Sequence, residues 1–437
     1  MLGTLNPFEW FFGRVGDTLT FLGGLSWGEL VVFFWPALFL DLPRWVFTNV
    51  STFFKELYFS DRLEETGFAA RLRGADPPLV SIVIAGLNEG GTIEKCVRSL
   101  TENTYANKEI IVVNDGSTDN MHEVCQRLTR EYGIVYVRHF ERAGKSAGVN
   151  HGCALARGEF ILVGDADTTF DRDAIYQSLL PFADPKVGAV SANVRVRNVE
   201  ASWWTRMQTI EYNLGIGLGR RFAAAVGLLS IISGAFGIFR RNVVLEVGGH
   251  DVGPGEDADI TIKIRKAGWQ IAFAPKAICM TDVPVGAWRF VRQRVRWDQT
   301  TIRFRIRKHR DLYSLWSYDP RTFTALLDTV FFEVVLLAGR VLYYGLLFYE
   351  QPGLILPIAF ATWIFYMVGD LVQYTIALFL SDRRASDFWL LPFLPFFSFY
   401  CFLYSLVRVY AYLDELLFYS SFRDKFIPPR VQARVEV

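Results

Sequence analysis

The chain has 437 residues, 51% of them hydrophobic and 16% aromatic, with a formal net charge of +1. That length exceeds one ordinary domain, and so balanced a charge gives no field that would draw nucleic acid. Cys96, Cys125, Cys153, Cys279 and Cys401 have no paired spacing, which argues against a disulfide framework or a zinc site and places the middle of the chain in a reducing, cytosolic environment. His122, His139, His151, His250 and His309 likewise lack ligand spacing and read as surface or loop residues.

Taken in chain order, residues 1–50 begin with an amphipathic stretch, FEWFFGRV, within Met1–Thr20 that reads as lying on the outer membrane interface. From Phe21 to Leu42 the sequence is apolar apart from Glu29 and Asp41, and is long enough to cross a bilayer core of ~30 Å at ~1.5 Å per residue. A signal peptide is disfavoured, because no small-residue cleavage site follows and LPRWVF continues as an aromatic interfacial stretch. Arg44, Lys55 and Arg62 then put the following chain on the cytosolic side. Residues 51–76 read as a linker or interfacial helix.

Residues 77–282 change character. Short apolar runs (SIVIAG, EIIVVND, IVYVRH, EFILVGDAD) alternate with helical patterns (GTIEKCVRSLTEN, DNMHEVCQRLTREYG, GKSAGVNHGCALARG), which predicts a mostly parallel sheet covered on both faces. Within this region Trp203–Gly227 sets apolar residues against Arg206, Arg220 and Arg221, predicting helices at the cytosolic interface or a helical pair buried in the domain. Residues 283–320 contain a basic stretch, Trp288 to Arg310, whose Arg303, Arg305, Arg307, Lys308 and Arg310 read as a solvated or lipid-facing surface.

Residues 321–420 bring three apolar blocks, Phe323–Tyr349, Leu354–Leu380 and Phe388–Phe418, each long enough to span. Their Asp328, Glu333, Arg340, Asp370, Arg408, Asp414 and Glu415 are costly in hydrocarbon and are expected to face one another or a hydrated path. The SDRRAS loop and the basic tail, residues 421–437, both favour the cytosol. They cannot both lie there across one span, which leaves the last block as one long helix, a span plus an interfacial helix, or a re-entrant pair.

The acidic residues fall just past the carboxyl ends of predicted strands, where an open α/β sheet places its ligands: Ala85–Gly91, Asn114–Asp119 and Gly164–Asp167. Asp165 and Asp167 form an Asp-x-Asp pair whose hard oxygens suit Mg2+ or Mn2+ bridging a donor's two phosphates; elsewhere such a pair is a plain turn. Asp115 is similarly placed, with an Asx-turn or helix cap as its ordinary reading. A dinucleotide-binding oxidoreductase fails on context: GLNEGG lacks the Gly-x-Gly-x-x-Gly spacing and GIGLG at Gly215–Gly219 follows no strand. Glu256 and Asp257 open an amphipathic helix, either as partners of its dipole or as a general base. Gln293, Arg296 and Trp297 occur together; Arg296 can clamp a pyrophosphate and Trp297 can offer a flat face to a sugar ring.

In this order, Asp115, Asp165-x-Asp167, Glu256-Asp257 and Gln293-x-x-Arg296-Trp297 resemble the processive branch of glycosyltransferase family 2, which contains cellulose, chitin, hyaluronan and poly-N-acetylglucosamine synthases. The likeness covers roughly the central half of the chain, and the SGAFGIFRR run looks closest to bacterial poly-N-acetylglucosamine synthase-like proteins. The resemblance implies an α/β GT-A domain with a Rossmann-like mixed sheet and interfacial helices, flanked by transmembrane helices. It implies a multi-pass protein of the cell membrane, surrounded by membrane lipids, with its catalytic domain in the cytosol. The reaction it implies is inverting, processive transfer from a UDP-sugar donor to a polysaccharide acceptor. Asn88 and Glu89 would sit by the nucleobase, Asp115 and Asp165 on the nucleoside diphosphate, Asp167 on Mg2+ or Mn2+, and Lys145 near the nucleotide. Asp257, beside Glu256, would be the base, and Gln293, Arg296 and Trp297 would shape the donor phosphate and acceptor end near Ser233 and Gly234. The family's Thr-Glu-Asp reads Gly255-Glu256-Asp257 here, a departure that bears on acceptor preference more than on catalysis. One rival, a transferase that glycosylates a membrane lipid once as ceramide glucosyltransferase does, differs in product length. A transporter or channel with a nucleotide-sensing domain would explain the intramembrane charges but not the ordered motifs.

Overall fold

The computed structural model describes residues 6–58, 63–251, 253, 255–313, 320–423 and 428–429. Residues 1–5 of the amino-terminal amphipathic stretch, 59–62 of the linker and most of the tail therefore lie outside the described residues. The chain divides into two units, Met1–Tyr58 with Asp328–Val409, and Phe59–Leu327 with Tyr410–Val437.

The second unit is built on eight strands: β1 Val80–Gly86, β2 Lys108–Asp115, β3 Val135–His139, β4 Phe160–Asp165, β5 Thr169–Phe170, β6 Val187–Val196, β7 Phe236–Arg240 and β8 Gln270–Thr281. Their order is β3-β2-β1-β4-β7-β6-β8-β5. The first four run parallel, as helical crossovers require. The sheet then becomes mixed, because β7 is antiparallel to both β4 and β6. Residues 197–235 leave and re-enter the sheet at one edge, so β7 must run back.

Alternate residues of each strand point to opposite faces and feed two separate cores. Ile82, Ile84, Val112 and Leu162 pack with the Ile93–Thr101 and Met121–Tyr132 helices, and Val83, Ile111, Val113 and Ile161 with the Lys145–Leu155 and Glu256–Lys266 helices. Each such side chain withheld from water contributes about 1.5–3 kcal/mol. The Trp203–Tyr212 and Arg220–Ala225 helices belong to this unit; the first buries Met207 and Ile210 and sends Tyr212 into the first core, while the second buries no residue fully and packs Ala223 and Ala224 on the second core.

The basic stretch corrects its expectation in part. The Ala287–Thr300 helix continues with π-helical pitch through Thr301–Lys308, and Arg303 and Arg305 are buried rather than solvated. Arg307 donates to the Glu415 carboxylate at 2.9 Å, and Lys308 bonds both Asp251 and Asp259. Lys308 and Arg310 are exposed, and Arg307 is half-buried. Arg303 lies over the Phe422 ring, 4.3 Å from its centre, and the carboxylates that meet Arg307 and Lys308 come from distant segments. His250 and His309, read as surface or loop residues, are also buried; His309 Nε2 lies 2.8 Å from Asp259 Oδ1.

In the first unit the Phe21–Leu42 stretch is not one helix. A helix ends at Gly24, and Ser26 caps the next: its Oγ accepts the Glu29 N–H at 3.3 Å while the Glu29 carboxylate accepts the Ser26 N–H at 2.8 Å. Helix then continues over residues 27–58. Among the described residues, three helices are long and apolar enough to cross a membrane: the one beginning at Trp27, Pro352–Leu380 and Arg384–Phe418. Several ionisable groups of this unit have polar partners. Arg44 lies 3.0 Å from Asp328, Arg340 pairs with Asp41, and Ser398 Oγ donates to Asp370 at 2.8 Å.

Candidate active site

Register creates the site. Ala85 stands opposite Asp165 and Gly86 opposite Asn114, so the carboxyl ends of β1, β2 and β4 open at one edge. Because Gly164 pairs with Phe236 at the start of antiparallel β7, Ser233 and Gly234 are delivered to the same edge.

Lys145, the first residue of its helix, ties this edge together. Its ammonium lies 2.7 Å from Asp165 Oδ1 and 2.8 Å from Glu256 Oε1. Asp257 Oδ1 accepts the Ala258 N–H at 2.8 Å and Oδ2 the Gly234 N–H at 3.3 Å. A Cβ on Gly234 would sit 3.4 Å from both Asp257 Oδ2 and Lys145 Nζ, so the glycine admits the carboxylate closely.

Two adjacent carboxylates are thereby pushed apart in acidity. Burial, and then the charge of Glu256, raise Asp257 to about 6, against the pull of Lys145. Burial would raise Glu256 too, but the Lys145 ammonium outweighs it and holds Glu256 below the usual carboxylate range. Asp167 is also raised to about 6, by burial and then by Asp165 and Glu89. Its turn is fixed from outside: Thr168 N–H donates to the Asp165 carbonyl at 3.2 Å and Arg197 to the Asp167 carbonyl at 2.8 Å. Among the described residues, no three His, Cys, Asp or Glu side chains form a ready-made metal cage.

Asp115 is 3% exposed and works on its own chain. Its carboxylate accepts the Ala143 and Gly144 N–H groups at 2.8 and 2.7 Å and has His139 Nδ1 at 3.0 Å, latching the loop that delivers Lys145. Asn88, at φ +59°, accepts the Thr118 N–H at 2.8 Å and donates its own N–H to Ser117 at 2.9 Å, joining the β1 and β2 loops. Glu89 accepts from Thr92 Oγ1 at 2.6 Å.

Gln293, Arg296 and Trp297 form a second grouping on the Ala287–Thr300 helix. Gln293 Oε1 is buried without a hydrogen-bond partner, and Trp297 is 42% exposed. Buried Tyr212 links the groupings electrostatically: burial pushes it up to about 12, Arg294 opposes and Asp167 adds.

Arg294 was not singled out from the sequence. It is 1% exposed, donates to Glu211 at 2.7 Å, and holds its guanidinium 4.3 Å from the Trp297 ring centre. The signal was available, since Phe290, Arg294 and Asp298 share one buried helix face at intervals of four. Ser191, whose Oγ accepts from Arg220 at 2.8 Å and from the Ser233 N–H at 3.3 Å, carried no such signal.

Comparisons with known proteins place the family and the fold. A family model described as glycosyltransferase like family 2 matches residues 77–300. The poly-beta-1,6-N-acetyl-D-glucosamine synthase of Staphylococcus aureus strain MSSA476 is 36% identical over 222 residues, 50% of this chain and 54% of that protein. The chain thus spans about half the length of these relatives. The Staphylococcus epidermidis protein of the same name is 29% identical over 362 residues, 80% of this chain and 85% of that one. A mannosyltransferase from Pyrobaculum calidifontis, solved with GDP-Man and Mn2+, superposes with a TM-score of 0.55 and 19% identity, covering 85% of this chain and 98% of that chain. At that identity the likeness speaks for the fold, which is GT-A-like. With its mixed sheet, its convergent carboxylates and a family match across more than half its length, the chain belongs to glycosyltransferase-like family 2.

Proposed function

We propose that the chain is a processive, inverting β-glycosyltransferase that moves sugar from a UDP-sugar onto a growing polysaccharide and guides the polymer across the cell membrane. The names of its relatives make N-acetylglucosamine the first donor sugar to test. In this reading residues 77–282 form a cytosolic catalytic domain and 283–320 the Gln-x-x-Arg-Trp segment. Residues 1–50 and 321–420 supply a multi-pass membrane part.

The observation that carries the proposal is the Lys145 bridge to Asp165 and Glu256, beside which burial and the charge of Glu256 raise Asp257 to about 6. Such a group is ionised at neutral pH and still basic enough to take a proton. Asp257 accepts the proton of the acceptor hydroxyl while that oxygen attacks the anomeric carbon. The bond to UDP breaks on the opposite face, and the diphosphate leaves with the electron pair. Lys145 stands beside Asp165 where negative charge grows on the diphosphate. Asp167 fits a divalent ion, being a buried carboxylate pressed by two like charges, and one or two carboxylates plus donor phosphates are the usual Mg2+ set. Mg2+ or Mn2+ bound there supplies neutralisation of the leaving group. Asp115, Asn88 and Glu89 shape the loops for the nucleoside. Gln293 offers its unpartnered oxygen to the substrate, and Trp297, backed by Arg294, a face for the acceptor sugar.

The test is UDP release by the purified full chain over a panel of UDP-sugars with Mg2+ or Mn2+, with product length measured. Single-sugar lipid products alone would remove processivity in favour of the lipid-acceptor reading.

A further inference from the structure

His250 has no part in the reaction just described, yet it is held beside the proposed base. It is 5% exposed, and its Nδ1 is buried without a hydrogen-bond partner. The backbone around it is gripped on both sides by Asn150, whose Oδ1 accepts the His250 N–H at 2.9 Å and whose Nδ2 donates to the His250 carbonyl at 2.7 Å. The ring meets Phe239 edge to face, with centroids 6.0 Å apart. The imidazole is therefore fixed in place by its surroundings rather than by bonds of its own.

The small cavity that it lines has room for about one water molecule: Lys145, Ser233, Glu256 and Asp257 supply its polar wall, and apolar side chains such as Val149 and Ile232 the remainder. The charged groups acting on it are Lys145 from the Lys145–Leu155 helix and Glu256, Asp259 and Lys263 from the Glu256–Lys266 helix. Burial first, opposed by Glu256 and reinforced by Lys145 and Lys263, brings His250 down to about 4, so the ring is neutral and carries one donor and one acceptor. A buried ring nitrogen left without a partner beside an ionised pair costs stability unless something satisfies it.

We propose that this cavity binds one water molecule, held by His250 and bonded onward to the Glu256–Asp257 pair, which makes His250 a positioning residue for the base. The inference rests on the glycosyltransferase reading. The water gives the Asp257 carboxylate a donor besides its two backbone amides, favouring the ionised form and fixing the direction in which it meets the acceptor.

The test compares His250→Asn with His250→Leu. The two share one branched skeleton of four heavy atoms and both lose the ring contact with Phe239, so the loss of aromatic packing is common to them. Asn restores polar atoms near the Nδ1 position, whereas Leu does not. Rates are expressed per UDP-binding molecule, so that a loss of folded protein does not count. His250→Leu should lower kcat about 10- to 100-fold, the effect of losing a hydrogen bond to a charged group, and move the acid limb of its pH profile upward. His250→Asn should stay within about threefold of the wild type, with KM for the UDP-sugar unchanged in both. Equal kcat and equal pH profiles in the two variants, at any level, would overturn the proposal. Absence of UDP release by the wild type from every donor would instead overturn the glycosyltransferase reading, so the two failures are distinct.

Discussion

Replacing Asp257 with Asn should cost the protein its turnover and at the same time stabilise its fold at neutral pH. The carboxyl rises from an ordinary 3.8 to about 6. At about 1.4 kcal/mol per pH unit, that is an electrostatic burden on the order of 3 kcal/mol. Because the folded form holds the proton more tightly than the unfolded one, the stabilising contribution is complete below pH 3.8 and is lost as the pH rises through 6. At neutral pH the wild type carries an ionised carboxylate beside Glu256, and the Asn variant does not. The stability difference between variant and wild type should therefore grow by about 2 kcal/mol between about pH 4.5 and about pH 7.5. Thermal melts of the solubilised protein at the two pH values would measure it. UDP release should fall about 100- to 10,000-fold with UDP binding retained. Near-normal turnover would remove the base assignment, and a difference in stability that ignores pH would refute the electrostatic argument.

Chelation should abolish UDP release by the wild type and added Mg2+ or Mn2+ restore it, while Asp167→Asn should raise the metal concentration for half-maximal rate at least about tenfold. Arg294→Ala withdraws a guanidinium from both Glu211 and the Trp297 ring; as it is buried, about 3–5 kcal/mol of stability should be lost, visible as a lower melting temperature. Arg307→Ala removes the cation from fully buried Glu415, which also holds the Ser421 N–H at 2.8 Å. A loss of about 3 kcal/mol or more is expected, with limited proteolysis attacking the 410–423 segment first.

Strands β1, β2 and β4 and the acidic loops after them were legible in the sequence because a strand buried on both faces must be a continuous apolar run, and its ligand loop follows at once. The Ser26 cap was legible too, since Ser26 and Glu29 stand at capping-box spacing, but the apolar composition of Phe21–Leu42 concealed the break. The burial of Arg303 and Arg305 and the pairing of Arg307 and Lys308 were hidden for a different reason. The partners lie far along the chain, Asp259 at 49 residues from Lys308 and Glu415 at 108 from Arg307, and the pattern within one segment holds no record of them. The Lys145 bridge was likewise beyond reach, because it depends on the register of β4 and on where the Glu256–Lys266 helix begins.

Gly255 bears on how this enzyme can be altered. It lies at φ +84°, and a Cβ there would come within 2.5 Å of Thr300 Cγ2 and 3.0 Å of Phe304. Installing the threonine that precedes Glu-Asp in the synthases it resembles would drive a side chain into the end of the helix that carries Gln293, Arg296 and Trp297. Positions 255 and 300 are thus sterically coupled: a chimera that imports one relative's loop must import that relative's helix as well, or trim Thr300 to make room.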